Sequence, residues 1–138
     1  MAEQRNPYRG ERPWLRLGFR TADGAVHHYD LIADTGSAAG IILRPDLRIA
    51  MRFLPLADRP SNFGPMSGGW LRLYNPGLGV VETVLGYGND RVAATAARSH
   101  PNYVGVVGLP LLRLGEYGGD ATDFWFRYPP TSTSTSQP

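Results

Sequence analysis

Short stretches of alternating apolar and polar residues dominate the first third of the chain. Between residues 14 and 20, tryptophan, leucine and phenylalanine alternate with arginine, which is typical of a β-strand with one buried face. Asp23 and Gly24 follow at a point where a tight hairpin turn fits. The segment Val26–Ala33, which ends in the apolar residues 31–33, then predicts a second strand, so the chain opens with a β-hairpin.

The remaining pattern favours strands over helices. Seventeen glycines and twelve prolines divide the chain into short pieces. Pro45 suits a first helical turn, so Pro45–Phe53 predicts a helix of about two turns. Further strands are predicted at residues 40–43, 70–74, 79–85, 91–97 and 123–128, and residues 104–112 form a strongly apolar segment. The predicted fold class is therefore mostly β, a small closed β-barrel with one or two short helices.

The length of 138 residues predicts a single domain, which we expect to span residues 11–128. Residues 1–10 are polar and predict a flexible N-terminal arm. Residues 129–138 read PPTSTSTSQP, a low-complexity composition that predicts a disordered C-terminal tail. No apolar run approaches the roughly 20 residues that a membrane span needs, and no signal peptide is visible, so we expect a cytoplasmic protein without a membrane partner.

Composition excludes several kinds of chemistry. The chain has no cysteine, which rules out disulfides, thiolate zinc sites and cysteine nucleophiles and fits a reducing cytoplasm. All 14 basic residues are arginine, and they are scattered, so the dense basic footprint of a nucleic-acid-binding protein is missing. His27 and His28 would point to opposite faces of a strand, and His100 is isolated, so we expect no metal and no cofactor.

The tetrapeptide Asp34-Thr35-Gly36-Ser37 is the most informative motif. It stands between two apolar strands, where a carboxylate is costly unless it is hydrogen-bonded or used. One interpretation is a strand-ending turn, in which Asp34 and Thr35 bind backbone groups and Gly36 supplies an unusual backbone angle. The other interpretation is a catalytic carboxylate.

Three elements in a fixed order favour the catalytic interpretation. They are Leu31-Ile32-Ala33 leading into Asp34-Thr35-Gly36-Ser37, the glycine-rich segment Gly64–Gly69, and Val106-Val107-Gly108 before a short apolar run. This ordered set resembles the retropepsin-like aspartic proteases of bacterial type, the single-domain relatives of pepsin, over most of residues 12–127. The resemblance implies a closed β-barrel whose glycine-rich flap covers the substrate.

The resemblance also implies the roles of individual residues. It assigns catalysis to Asp34, Thr35 and Gly36, substrate contacts to Ser37, Met66, Gly68, Gly69, Trp70 and Val107, and packing against the catalytic loop to Gly108. In this family, two aspartates activate a water molecule that hydrolyses a peptide bond. Asp-Thr-Gly occurs once in this chain, so the resemblance implies a homodimer in which each chain supplies Asp34. The expected function is an aspartic-type endopeptidase that acts on polypeptides.

Some positions depart from the family pattern. Ala38 and Leu109 stand where retroviral members pair an acid with an arginine, and Gly40 stands where a serine or threonine is common. These departures leave open a second function, a catalytically inactive dimeric binding module with the same fold.

A third interpretation is a different small β-barrel with a binding function. Arg5 and Arg9 have the spacing of the arginines in PilZ domains, which bind cyclic di-GMP, and a Ser-x-x-Gly ending follows at Gly40. The aspartate of that motif would have to stand at position 35, which is a threonine.

Overall fold

Ten strands and three short helices form the part of the chain that the structure, a computed structural model, describes: residues 2–75 and 80–128. The C-terminal segment predicted to be disordered lies outside the described residues. The strands are β1 (Ala2–Pro7), β2 (Trp14–Arg20), β3 (Val26–Asp34), β4 (Ile41–Leu43), β5 (Arg52–Pro55), β6 (Ser67–Asn75), β7 (Val80–Gly88), β8 (Tyr103–Gly108), β9 (Glu116–Gly119) and β10 (Asp123–Tyr128). The helices are α1 (Pro45–Met51), α2 (Asp90–Ser99) and α3 (Leu109–Leu112).

Six of these strands close into a barrel. They follow the order β2-β3-β8-β4-β7-β6, and β6 pairs back with β2 through Phe19 and Leu73. Strand β5 extends this sheet beyond β6, and β1, β10 and β9 form a separate three-stranded sheet. The mostly β fold class with a closed barrel and short helices is thereby confirmed.

Strand β8 lies in the middle of the barrel wall and positions the site. It runs parallel to β3 and antiparallel to β4, so two strands that are near in sequence flank it on both sides. Its residues are all buried. Val107 packs in the core of the barrel, whereas Tyr103 and Val106 pack in a second apolar layer with Ala96 of helix α2. The pairing of β3 with β8 brings Asp34 opposite Gly108.

Several predicted elements are confirmed. The turn between β2 and β3 contains Gly24 with a φ of 89°, a left-handed conformation that glycine adopts without strain. The predicted helix at Pro45 forms but ends at Met51, because Arg52 already begins strand β5.

The strand predicted at residues 91–97 is wrong, because this segment lies in helix α2. Asn89 caps the helix: its side-chain oxygen accepts a hydrogen bond from the backbone N–H of Val92 at 3.0 Å. Ala93 and Ala96, three positions apart, form the buried face. None of the helices within residues 2–75 and 80–128 is long and apolar enough to cross a lipid bilayer.

Most of the segment for which a flexible N-terminal arm is predicted forms strand β1 in the structure. Strand β1 pairs antiparallel with β10 from Ala2 to Pro7. The side-chain amides of Gln4 and Asn6 donate hydrogen bonds at 2.9 Å to the carbonyl oxygens of Arg16 and Trp14 in β2. These polar residues are therefore ordered by hydrogen bonds to distant parts of the chain.

A buried carboxylate ties the N-terminal segment to strand β3. Asp30 is 6% exposed and accepts hydrogen bonds from Arg9 at 2.8 Å and from Arg16 at 2.7 Å. The Arg9 guanidinium also lies 3.9 Å from the ring centroid of Trp14. Burial raises the pKa of the Asp30 carboxyl, but the hydrogen bonds and charges of Arg16 and Arg9 together outweigh burial, so the pKa lies below its usual value.

Replacement of Asp30 should make the free energy of unfolding less dependent on pH. Because the pKa of Asp30 is lower in the folded state, its ionised form stabilises the fold above the unfolded-state pKa of about 3.9, and this contribution is lost as the pH falls through the folded-state pKa. We expect Asp30→Asn to lower the free energy of unfolding by about 2 kcal/mol at pH 7 and by less below about pH 4. Urea unfolding of both proteins from pH 3 to pH 7 measures this difference.

Asp58→Asn is the matched control for Asp30→Asn. Asp58 is exposed and has no ion pair with any residue that the structure describes. The control should change stability by less than about 0.5 kcal/mol. A difference between Asp30→Asn and the wild type that stays constant from pH 3 to pH 7 would contradict the role given to this carboxylate.

Candidate active site

Asp34 is the last residue of β3 and is exposed. One of its carboxylate oxygens, Oδ1, accepts a hydrogen bond from the backbone N–H of Gly36 at 2.9 Å. The backbone N–H of Ser37 donates to the Asp34 carbonyl oxygen at 3.1 Å, which closes a tight turn. The turn therefore holds one oxygen of an exposed carboxylate. The unusual backbone angle predicted for Gly36 is wrong, because the φ of Gly36 is not positive.

The loop that carries Asp34, residues 34–40, is fastened to the junction of β8 and α3. The backbone N–H of Gly108 donates a hydrogen bond to the carbonyl oxygen of Gly40 at 2.8 Å. The backbone N–H of Leu109 donates one to the carbonyl oxygen of Ser37 at 3.2 Å. The approach is so close that a Cβ atom on Gly108 would overlap the Ala39 carbonyl group and lie 2.9 Å from the Ser37 Cβ. A glycine is therefore required at position 108.

A cleft of about 710 Å³, here called the first cavity, opens at Asp34. Its walls come from loop 34–40, from the outer faces of β3, β4 and β8, from helix α2 and from residues 59–66. The larger apolar side chains that line it are those of Ile32, Ile42, Phe63, Met66, Val92 and Val106. Asp34 is the only acidic residue among the described residues of this lining, and Arg12 and Arg59 are its basic residues.

A β-hairpin, here called the flap hairpin (residues 56–66), forms one side of the first cavity. Arg59 and Met66 exchange two backbone hydrogen bonds of 2.7 Å across it. Its tip is the turn from Ser61 to Gly64, in which the Gly64 N–H donates to the Ser61 carbonyl oxygen at 3.1 Å. The Ser61 hydroxyl donates a hydrogen bond to the Gly64 carbonyl oxygen at 2.6 Å, so two hydrogen bonds between these residues stabilise the turn.

Asn89 holds the flap tip against helix α2. Its side-chain NH₂ group donates hydrogen bonds to the carbonyl oxygens of Phe63 at 3.1 Å and Pro65 at 3.4 Å, while its oxygen caps the helix at Val92. Asn89 is 4% exposed, so water cannot easily replace these bonds. One buried amide thereby connects the helix and the flap tip on two sides of the first cavity.

We expect Asn89→Asp to free the flap tip without unfolding the helix. Aspartate caps a helix as well as asparagine does but has no N–H to donate to Phe63 and Pro65. The loss of two hydrogen bonds should increase hydrogen exchange at the Met66 amide about tenfold, while the Val92 amide keeps its protection. Amide exchange followed by NMR measures both positions in one sample, and unchanged exchange at Met66 would contradict this role.

A second cavity of about 310 Å³ lies on the other side of Ala38, Ala39 and Arg59, which line both cavities. The remaining lining is largely apolar and comes from β6, β7 and α3 with the turn that follows it. Trp70, Leu85, Tyr87, Pro110, Leu111 and Leu114 contribute its apolar surface.

The structure brings many of the sequence-predicted site residues together. Asp34, Gly36, Ser37 and Met66 all line the first cavity. Trp70 lines the second cavity instead.

Other predicted site residues lie elsewhere. Thr35 is exposed beside Asp34 but does not line either cavity. Gly68 and Gly69 are buried in β6, opposite Tyr87 and Gly86, at the base of the flap hairpin and not at its tip. Val107 is fully buried in the core, so it cannot contact a substrate.

Val106 lines the first cavity, where Val107 was expected. Arg59, Phe63 and Asn89 were not predicted as site residues. A signal for the flap tip was present, because Ser61 and Gly64 stand at the first and last positions favoured in a type I turn.

The alternative sites use residues that are engaged elsewhere. The two arginines whose spacing resembles that of PilZ domains both form ion pairs within the chain. Arg5 pairs with Glu3 at 2.9 Å, and Arg9 pairs with Asp30 at 2.8 Å. Within residues 2–75 and 80–128, no group of three histidine or acidic residues is placed to hold a metal ion.

Comparisons with protein-family models, with curated proteins and with solved structures gave no match to this chain.

Proposed function

We propose that this protein is an aspartic-type endopeptidase that acts as a homodimer. The observation that carries the proposal is an exposed carboxylate, that of Asp34, fixed by the Gly36 N–H at the mouth of a largely apolar cleft beside a hairpin. A cleft of about 710 Å³ is large enough for several residues of an extended peptide. The cytoplasm remains the expected location, because the chain has no cysteine.

The need for a second chain follows from the chemistry. Peptide hydrolysis by carboxylates requires one group to accept a proton from water and another to donate a proton to the amide. Asp34 is the only carboxylate among the described residues that line the first cavity. A second copy of the chain, with its own Asp34 facing the first across a two-fold axis, supplies the missing group.

In this dimer, the two Asp34 carboxylates share one proton and hold the attacking water between them. The ionised carboxylate removes a proton from the water as it attacks the peptide carbonyl carbon. The protonated carboxyl then donates its proton to the nitrogen of the tetrahedral intermediate, the C–N bond breaks and the amine leaves, and the proton taken from the water stays on the pair of carboxylates. The flap hairpin at one side of the first cavity limits the access of bulk water, which strengthens these interactions.

Proteolysis of an unfolded protein tests the proposal. Reduced and alkylated α-lactalbumin is incubated with the purified chain between pH 4 and pH 9, at protein concentrations from 10 µM down to 10 nM. We expect cleavage that is greatest on the acid side of neutrality, because one of two facing carboxylates must keep its proton. We also expect specific activity to fall on dilution, because each chain carries half of the site.

Two results would count against this function. Activity that is constant up to pH 9 would argue against a pair of carboxylates. An absence of cleavage by a folded, dimeric chain would favour the inactive binding module.

A further inference from the structure

Arg59 lies at the junction of the two cavities. It lines both of them, and its guanidinium carbon lies 5.8 Å from the ring centroid of Tyr87, which lines the second cavity. Its backbone is fixed to Met66 by the two hydrogen bonds of the flap hairpin. The charged group is thus held near the entrance of the second cavity by a strand pairing and by an aromatic ring.

This charge is available to a ligand. Arg59 is exposed and forms no ion pair with the residues at positions 2–75 and 80–128. The described lining of the second cavity contains no acidic residue, and that of the first contains only Asp34. Arg12 adds a second positive charge to the first cavity. The cleft as a whole therefore favours anionic over cationic groups.

The second cavity adds an apolar requirement. Its volume of about 310 Å³ and its lining by Trp70, Leu111 and Leu114 suit one large aliphatic or aromatic side chain. Successive side chains of an extended peptide point to opposite sides, about 3.3 Å apart along the chain. Because Arg59 lines both cavities, adjacent residues of a bound peptide are able to place an apolar side chain in the second cavity and an acidic one beside Arg59 on the side of the first cavity.

We propose that the substrates are polypeptide segments in which an acidic residue stands next to a large apolar residue, and that Arg59 is the residue that selects the acidic side chain. This inference rests on the proposed function, since it names the substrate class of the same cleft. The guanidinium of Arg59 donates two parallel hydrogen bonds to the carboxylate, a geometry that a neutral amide does not reproduce. A lysine at the same place in the substrate is repelled by Arg59 and Arg12.

Peptide binding to an Asp34→Asn chain tests the inference without hydrolysis. The probes are fluorescein-labelled dodecapeptides of serine and glycine with Leu-Phe at the centre and one tryptophan. Each has a single glutamate next to the tryptophan, and its twin has glutamine there. The glutamate–tryptophan pair is moved along the peptide, and binding is measured by fluorescence anisotropy.

At one position of the pair we expect the glutamate peptide to bind about tenfold more tightly than its glutamine twin. This preference should decrease as salt is raised from about 50 to about 500 mM. With Arg59→Gln in the same chain, the glutamate and glutamine peptides should bind about equally. Arg44→Gln is the matched control, because Arg44 is also exposed but lines neither cavity, and it should leave the preference unchanged.

Equal binding of the twins at every position, a preference that survives Arg59→Gln, or no binding of any peptide would overturn the inference. Failure of the proposed function has a different signature. If the wild-type chain cleaves unfolded protein but shows no preference that depends on Arg59, the peptidase stands and the selectivity is wrong. If the preference is present but nothing is cleaved, the selectivity stands and the chain is a binding module.

Discussion

Replacement of Asp34 by asparagine should abolish peptide-bond hydrolysis and leave the fold intact. The amide can neither accept a proton from water nor hold the proton shared by the two carboxylates, so we expect the rate to fall by at least about 10³-fold. The asparagine oxygen still accepts the Gly36 N–H, and the side chain is exposed, so the midpoint of thermal unfolding should move by less than about 2 °C.

Cleavage of α-lactalbumin and thermal unfolding of the same preparations measure these two effects. Asp46→Asn is a suitable control, because Asp46 is exposed on helix α1 and lines neither cavity. It should retain full activity. Equal activity of the wild type and Asp34→Asn would show that hydrolysis depends on another group or on a contaminant.

Replacement of Gly108 by alanine should have the largest effect on stability. The added Cβ would overlap the Ala39 carbonyl group and lie 2.9 Å from the Ser37 Cβ, and β8 is buried along its whole length. We expect the free energy of unfolding to fall by about 3 kcal/mol, because a backbone contact must be broken or displaced. The same displacement moves Asp34, so proteolysis should be lost as well.

Gly40→Ala is the matched control in the same loop. A Cβ on Gly40 would lie 3.7 Å from its nearest neighbour, the Leu85 carbonyl oxygen, which is ordinary van der Waals contact. The control should therefore lower stability by less than about 1 kcal/mol. Urea unfolding of the two variants compares them directly, and similar losses would contradict the argument that close approach of the backbone requires Gly108.

The pattern of apolar residues was sufficient to predict elements with one buried face. In β2 the buried Leu15, Leu17 and Phe19 occupy every second position, and the two arginines on the other face are more exposed, so both the strand and its inner face could be read directly. The same pattern fails in β8, where both faces are buried. Nothing in the sequence distinguishes Val106 from Val107 there, and the structure places Val106 at the cleft and Val107 in the core.

Polar and small-residue segments were harder to predict. Strand β1 contains no large apolar residue, and its order depends on pairing with β10 and on the amides of Gln4 and Asn6. Helix α2 is rich in alanine, whose burial gives a weak signal, although Asn89 and the spacing of Ala93 and Ala96 indicate a capped helix.

The candidate site was predictable in its centre and not in its surroundings. Asp34 and Gly36 belong to one tetrapeptide, and their geometry is local. The sequence predicts substrate contacts for Gly68 and Gly69, but glycine is frequent both in turns and at close contacts between strands. Gly68 fits the second case, since its Cβ would lie 3.2 Å from the Tyr87 ring. Arg59 depends on the position of the whole hairpin, which no short motif indicates.

The central claim is that one active site needs an Asp34 from each of two chains. The most direct test mixes the wild-type chain with a fourfold excess of Asp34→Asn under conditions in which dimers exchange subunits, and measures proteolysis per wild-type chain. If both carboxylates are required, random pairing leaves one wild-type chain in five with a wild-type partner, so activity should fall to about one fifth. Unchanged activity per wild-type chain would contradict the shared site.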